Sequence, residues 1–295
     1  MCTTAIAIIP WPTDLRAQDA DARSRLLVSA DWLAQHMTDP ELVLLHVGDR
    51  DDYDAEHIPG AHYTTHHELS DPTSTGSDAL TLELPDPIQL QAKLREYGIS
   101  DDSRIVVYWG SEWVSPAARV VFTLAWAGVG DQTVLLDGGI EAWKSAGRAV
   151  TAEPTPPAEG KITVEPQLHL VVDAGWVQSH ASEPGYKLVD GRNAEFFTGN
   201  REDRGKAGHI PGAGNVMWQE LLDDSLRLKE ADALREAFAA AGVEPHDTVV
   251  AYCHIGQYAT MVMFIARTLG HDVMLYDGAF QDWARRDLPV EKPNN

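Results

Sequence analysis

The chain has 295 residues, 44% of them hydrophobic, and carries 45 Asp plus Glu against 23 Lys plus Arg, for a formal net charge of −22. That length suits two domains of ordinary size, each with its own core, and the charge argues against nucleic acid or an anionic membrane surface as partner. No apolar run approaches the roughly 18 residues that cross a bilayer, and two cysteines, Cys2 and Cys253, cannot build a disulfide framework or a zinc site.

Residues 1–25 read as an arm. The stretch Ala5–Ile9 is apolar but short, lacks a basic leader and runs into Pro10-Trp11-Pro12, a poor pattern for a signal peptide. With a single interior cysteine, a cytoplasmic location is expected, although the apolar start leaves export open. Leu26–Val28 then reads as a strand, Ser29 as an N-cap, and the residues to His36 as an amphipathic helix. Short apolar strands follow at Leu42–His46, Arg104–Tyr108 and Thr133–Leu136. They alternate with helical patterns at Pro87–Tyr97 and Pro116–Trp126. Such alternation builds a parallel sheet covered on both faces, in which ligands bind beyond the carboxyl ends of strands.

The second half repeats this grammar. Leu170-Val-Val-Asp173-Ala-Gly-Trp176 answers the segment that leads to Trp32, Gly242-Val243 answers Gly98-Ile99, and Tyr252 answers Tyr108, each 144 positions on. Late in each half Asp137-Gly-Gly-Ile-Glu-Ala-Trp143 is matched by Asp277-Gly-Ala-Phe-Gln-Asp-Trp283, now 140 positions on. The chain is a duplication. The Pro-rich stretch Glu153–Gly160 reads as a stiff linker, which sets expected boundaries of 26–150 for the first domain, 151–165 for the linker and 166–295 for the second. Trp32, Trp176, Trp143 and Trp283 recur in both halves and read as packing residues. His57 and His209, each before Ile-Pro-Gly, read as turn-holding residues. The cluster His57, His62, His66 and His67 has no Cys or acidic pattern to complete a metal site, so none is expected.

Cys253 is the residue to which the second half leads. It ends the apolar run Asp247–Cys253, and the loop His254-Ile255-Gly256-Gln257-Tyr258 separates it from a buried helical run, Ala259–Ala266. A strand feeding a tight loop that opens a helix converges N–H groups and the positive helix end on one atom. The pattern therefore favours a thiolate at Cys253, with an ordinary buried cysteine as the alternative that this stretch alone leaves open.

The motif His-Ile-Pro-Gly-Ala at His57–Ala61 and His209–Ala213, the paired Asp-Gly-x-x-x-x-Trp endings and the strand, cysteine, loop, helix unit together resemble the tandem-domain rhodanese family of sulfurtransferases. The resemblance covers roughly residues 26 to 290. It implies two rhodanese-like α/β domains, each a parallel sheet with helices on both faces, of which only the second is catalytic. It further implies that Cys253 takes a sulfane sulfur from thiosulfate or 3-mercaptopyruvate, becomes a persulfide and passes the sulfur to cyanide or a thiol, with no metal or organic cofactor. Trp109 or Gly110 stands where the first half would carry the cysteine, so that half is expected to be inert. The loop after Cys253 is also about four residues shorter than its counterpart, since the offset falls from 144 to 140 across it.

A small anionic donor approaching so acidic a protein needs local positive charge. Arg192, in Val189-Asp190-Gly191-Arg192, matches the family's substrate-binding arginine and is expected to hold a carboxylate or sulfonate through its fork; Asp190 is expected to hold backbone amides or to orient Arg192, not to do acid–base chemistry. The polar insertion Thr198–Lys206 offers Arg201 and Arg204 as further candidates, with the solvated-loop alternative open. The loop residues His254, Ile255, Gly256, Gln257 and Tyr258 complete the expected donor site. His254 and Ile255 fit neither the thiosulfate nor the mercaptopyruvate pattern, so the donor stays undecided, as does the oligomeric state. Phosphatase or arsenate-reductase chemistry would place an arginine six residues after the cysteine, where this chain has Ala259. A non-catalytic persulfide carrier is the remaining alternative.

Overall fold

The structure is a computed structural model describing residues 22–74, 79–110 and 114–293. The first half forms β1 (Leu27–Val28), α1 (Ala30–His36), β2 (Leu42–Val47), α2 (Arg50–Ala55), β3 (Ala61–Thr64), α3 (Pro87–Glu96), β4 (Arg104–Trp109), α4 (Val114–Leu124), β5 (Thr133–Leu136) and α5 (Gly139–Ser145). The second forms β6 (Val171–Val172), α6 (Ala174–His180), β7 (Tyr186–Asp190), α7 (Ala194–Phe197), β8 (Gly214–Asn215), α8 (Ala231–Ala240), β9 (Thr248–Tyr252), α9 (Gln257–Thr268), β10 (Val273–Tyr276) and α10 (Ala279–Arg285). Each half is a parallel five-stranded sheet, ordered β1-β5-β4-β2-β3 and β6-β10-β9-β7-β8. The duplication is thus one of topology as well as sequence.

Local chemistry starts the elements where the repeat predicts. Ser29 and Asp173 cap α1 and α6 by accepting from the amides of Trp32 and Trp176. Trp143 and Trp283 are buried and donate their indole N–H to Ala149 O and Pro289 O. Trp32 and Trp176 stack instead on His36 and His180.

The two-residue period of a strand assigns the faces. Val250 and Tyr252 point into a core with Val177, Phe280 and Trp283, whereas Val249, Ala251 and Cys253 point to the face that α9 covers. That second core is shared between the halves. Val121 and Phe122 of α4 belong to it along with Met263 and Phe264 of α9. Each such side chain stabilises the fold by roughly 1.5–3 kcal/mol when fully buried, so the two domains stand on one apolar interface.

Several expected boundaries move. β9 ends at Tyr252, which leaves Cys253 just beyond the strand, and α9 is longer at both ends than Ala259–Ala266. The helix expected over Pro116–Trp126 stops at Leu124 and widens into a π turn, Ala125–Val129. The carbonyls of Trp126 and Ala127 in that turn accept from the amides of Gln167 and Glu165 in the connection between the halves. This connection is strapped to the first domain, with Ile162 buried and its carbonyl held by Arg95. The arm is also fixed at its described end, where Arg23 donates to Leu228 O and Lys229 O of the second domain. Residues 1–21, including Cys2, lie outside the described residues. Among those described, no helix is long and apolar enough to cross a membrane.

Candidate active site

Cys253 is fully buried. The loop after it turns on Gly256, which sits at φ 87°, a left-handed conformation that a Cβ would strain. The turn aims the backbone amides of Ile255, Gly256, Tyr258 and Ala259 at the thiol. Burial pushes the Cys253 thiol up, and these amides oppose the rise without cancelling it. This runs against the expectation of a ready thiolate: desolvation of the anion outweighs the loop's N–H groups.

The loop is braced from behind. The amides of Phe280 and Gln281 donate to the carbonyls of Cys253 (2.9 Å) and His254 (3.2 Å), and Gly191 N donates to Tyr252 O (2.8 Å). Neither of the larger cavities reaches the thiol. One of about 520 Å³ lies at the amino ends of β9 and β10, and one of about 480 Å³ lies at the carboxyl edge of the first sheet, lined by Gly48, Asp49, His66, His67 and Gln257.

Arg192 is brought to the same sheet edge, but it is not open to a donor. The side chain is fully buried and its Nη2 donates to Asp190 Oδ2 at 2.7 Å and to Gly208 O at 2.8 Å, while Nε bonds both Asp190 oxygens. Phe280 covers its cation at 3.7 Å from the ring centre. Burial alone would lower this guanidinium's pKa; the charge and hydrogen bonds of Asp190 outweigh that and raise it. The expected fork for a donor is thus already filled. Asp190 does orient Arg192 and also accepts from Tyr252 Oη at 2.7 Å, while Ile210 N donates to the same hydroxyl at 3.0 Å.

The inserted loop contributes a residue that sequence reasoning passed over. Asp203 Oδ2 lies 2.6 Å from His254 Nδ1 and 3.4 Å from Arg192 Nη1. Burial pushes the Asp203 carboxyl up, but the His254 hydrogen bond and the charges of His254 and Arg192 overcome it and hold Asp203 below the usual carboxylate range. Arg204 reaches only to 4.0 Å from Asp203, and Arg201 turns away to Glu195 at 2.7 Å. Gln257 sends its side chain across the domain boundary to Ser115 Oγ at 3.0 Å. The only sequence signal for Asp203 was an acidic residue set between two arginines in an insertion.

The first half shows the same frame with different residues at the matching positions. Tyr108 Oη accepts from Ile58 N at 3.0 Å as Tyr252 does from Ile210, but its other partner is His46 Nδ1 at 3.2 Å in place of a carboxylate. Gly48 stands where the second half has Arg192, and Trp109 where it has Cys253. Burial lowers the His46 pKa to about 4, so its ring is neutral. His57 and His209 bond Tyr53 O and Phe197 O and each pairs its backbone with a late residue of its domain, Thr151 or Glu291, a structural role. Among the described residues no group of three or more His, Cys, Asp or Glu could hold a metal ion.

The rhodanese-like domain model matches residues 29–146 and again 173–286. The chain is 33% identical to the 3-mercaptopyruvate sulfurtransferase of Escherichia coli K12 over 279 residues, 90% of this chain and 97% of that protein. It is 29% identical to the thiosulfate sulfurtransferase of Gallus gallus, over 92% of this chain and 98% of that protein. The crystal structure of SseA from Escherichia coli, described as a 3-mercaptopyruvate sulfotransferase, superimposes with a TM-score of 0.76 at 31% identity, covering 86% of this chain and 98% of that one. Two matched domains, near-complete coverage of the relatives and the shared fold lead to one conclusion: the chain belongs to the tandem-domain rhodanese family of sulfurtransferases.

Proposed function

We propose that the protein moves a sulfane sulfur from thiosulfate or 3-mercaptopyruvate to cyanide or a thiol through a persulfide on Cys253. The observation that carries this reading is the convergence of four backbone amides on one buried thiol. In the forward half-reaction the Cys253 thiolate attacks the donor's outer sulfur. The sulfur–sulfur bond of thiosulfate or the carbon–sulfur bond of mercaptopyruvate breaks, and sulfite or, after protonation, pyruvate leaves. The acceptor then attacks the terminal sulfur of the persulfide and the Cys253 thiolate departs. The amides of Ile255, Gly256, Tyr258 and Ala259 serve both halves, because they hold negative charge on a sulfur buried from solvent.

In this reading Asp190 and Arg192 set the shape of the site, and His254, with Asp203 behind it, is the side chain beside the nucleophile. Arg204 and Arg201 act at most as outer charges that draw an anionic donor toward the loop. Relatives carry both donor names, which leaves the choice of donor to experiment.

Intact-mass measurement after incubation with each donor should show one added sulfur, absent from Cys253→Ser and retained in Cys2→Ser, with steady turnover when cyanide is supplied. Sulfur retained on the Cys253→Ser protein overturns the assignment. A persulfide that forms but never turns over with any small acceptor replaces the enzyme by a carrier.

A further inference from the structure

The silent domain presents one face of α4 to the turn that follows Cys253. Ser115 and Arg119 lie one helical turn apart. Ser115 Oγ accepts from Gln257 Nε2 at 3.0 Å. Arg119 Nη1 lies 3.1 Å from the place a Cβ on Gly256 would occupy.

Arg119 has 0% exposure. Its Nη2 pairs with Asp277 Oδ1 at 2.8 Å and donates to Leu82 O, whereas Nε and Nη1 have no hydrogen-bond partner among the described residues. Burying such donors unbonded is costly. The chain beside Nη1, at Gly256, is the turn that follows Cys253. Asp277 in its turn accepts from Leu84 N at 2.8 Å and leads into Phe280 and Gln281, whose amides hold the carbonyls of Cys253 and His254. Arg119 therefore meets the loop twice, directly at Gly256 and through Asp277 behind it.

We propose that Arg119, a residue of the inert domain, is a positioning residue for Cys253, fixing the turn whose amides face the thiol and supplying the buried cation on that side of it. This rests on Cys253 being the nucleophile. Arg192 is held by Asp190 and His254 by Asp203. Arg119 faces the carboxyls of Glu83 and Asp277 and the ring of His66, Tyr258 faces the thiol, and His254, next to Cys253 in the chain, pairs with Asp203. Without the guanidinium, Asp277 stands uncompensated beside Gly256 and raises the cost of a thiolate.

The test reads the thiol alone, through the pH dependence of Cys253 alkylation by iodoacetamide in the full chain, so it holds whether or not sulfur transfer occurs. Arg119→Gln should raise the thiol pKa by about one unit, a roughly tenfold loss of thiolate at a given pH below it. Arg119→Lys should bring most of it back. Asp277→Asn, which removes the counter-charge and leaves Arg119, should shift the pKa the other way. That sign is one a merely structural contact would not produce, and it remains available if Arg119→Gln does not fold. A folded Arg119→Gln protein with an unchanged thiol pKa, or an Asp277→Asn protein with no downward shift, overturns the proposal. Absence of a persulfide in the wild type would instead remove the functional reading and leave this measurement standing.

Discussion

His254 and Asp203 meet at 2.6 Å between Nδ1 and Oδ2, so the side chain that follows Cys253 faces a carboxylate supplied by the inserted loop. Any positive charge at position 254 is offset on the spot. Replacing His254 with arginine should accordingly do little for an anionic donor, since the new guanidinium pairs with the same acid.

Asp203→Asn should do more. Removing one negative charge near the loop should raise kcat/KM for thiosulfate about two- to fivefold at low ionic strength, with the gain shrinking in 0.5 M salt. Steady-state kinetics of the two variants at both salt concentrations would check this. A larger gain from His254→Arg than from Asp203→Asn would show that Asp203 does not control the local charge.

The Asp190–Arg192 pair gives a second prediction. Both side chains have 0% exposure and are joined at 2.7 Å. Breaking such a pair from one side strands the other charge and costs roughly 3–5 kcal/mol. Asp190→Asn and Arg192→Gln should each lower the urea midpoint strongly, while the double variant should be less destabilised than the two effects added, with a coupling of about 2 kcal/mol or more. Additive losses would mean that the two residues are held independently.

Glu83 makes stability depend on pH in an unusual direction. Burial first, and then the charge of Asp277, pushes its carboxyl from 4.5 up to about 8, and its Oε1 has no hydrogen-bond partner among the described residues. The folded protein therefore keeps a proton that the unfolded chain has already released. This contribution to stability is full below about pH 4.5 and is lost as pH rises toward 8. Glu83→Gln, neutral throughout, should flatten that decline and be more stable than wild type at pH 8.5 by about 2 kcal/mol. Thermal unfolding of both proteins between pH 5.5 and 8.5 would decide, and parallel curves would remove Glu83 as the cause.

The parts of this molecule legible in the sequence are those set by neighbours along the chain. The caps Ser29 and Asp173, the alternation that puts Val249, Ala251 and Cys253 on one face, and the glycine at 256 all follow from periods of two or 3.6 residues and from local backbone geometry. The duplication was legible because it repeats those local signals at a fixed offset, and Cys253 because its loop is local too.

Tertiary structure decided the electrostatics. Arg192 lies at the sheet edge as its strand predicts, yet whether its fork is open depends on Gly208 and Asp203, brought to it by a loop whose path no periodicity encodes. The direction of the Cys253 pKa reverses because desolvation is a property of everything packed around the thiol, not of the helix that follows it. Arg119 and Asp277 belong to different domains, so only the docking of α4 against α9 brings a cation from the first half to the turn after Cys253 in the second. Sequence pattern determined where the backbone places each group. Through-space distance and burial, which pattern does not carry, determined the charge each group meets there.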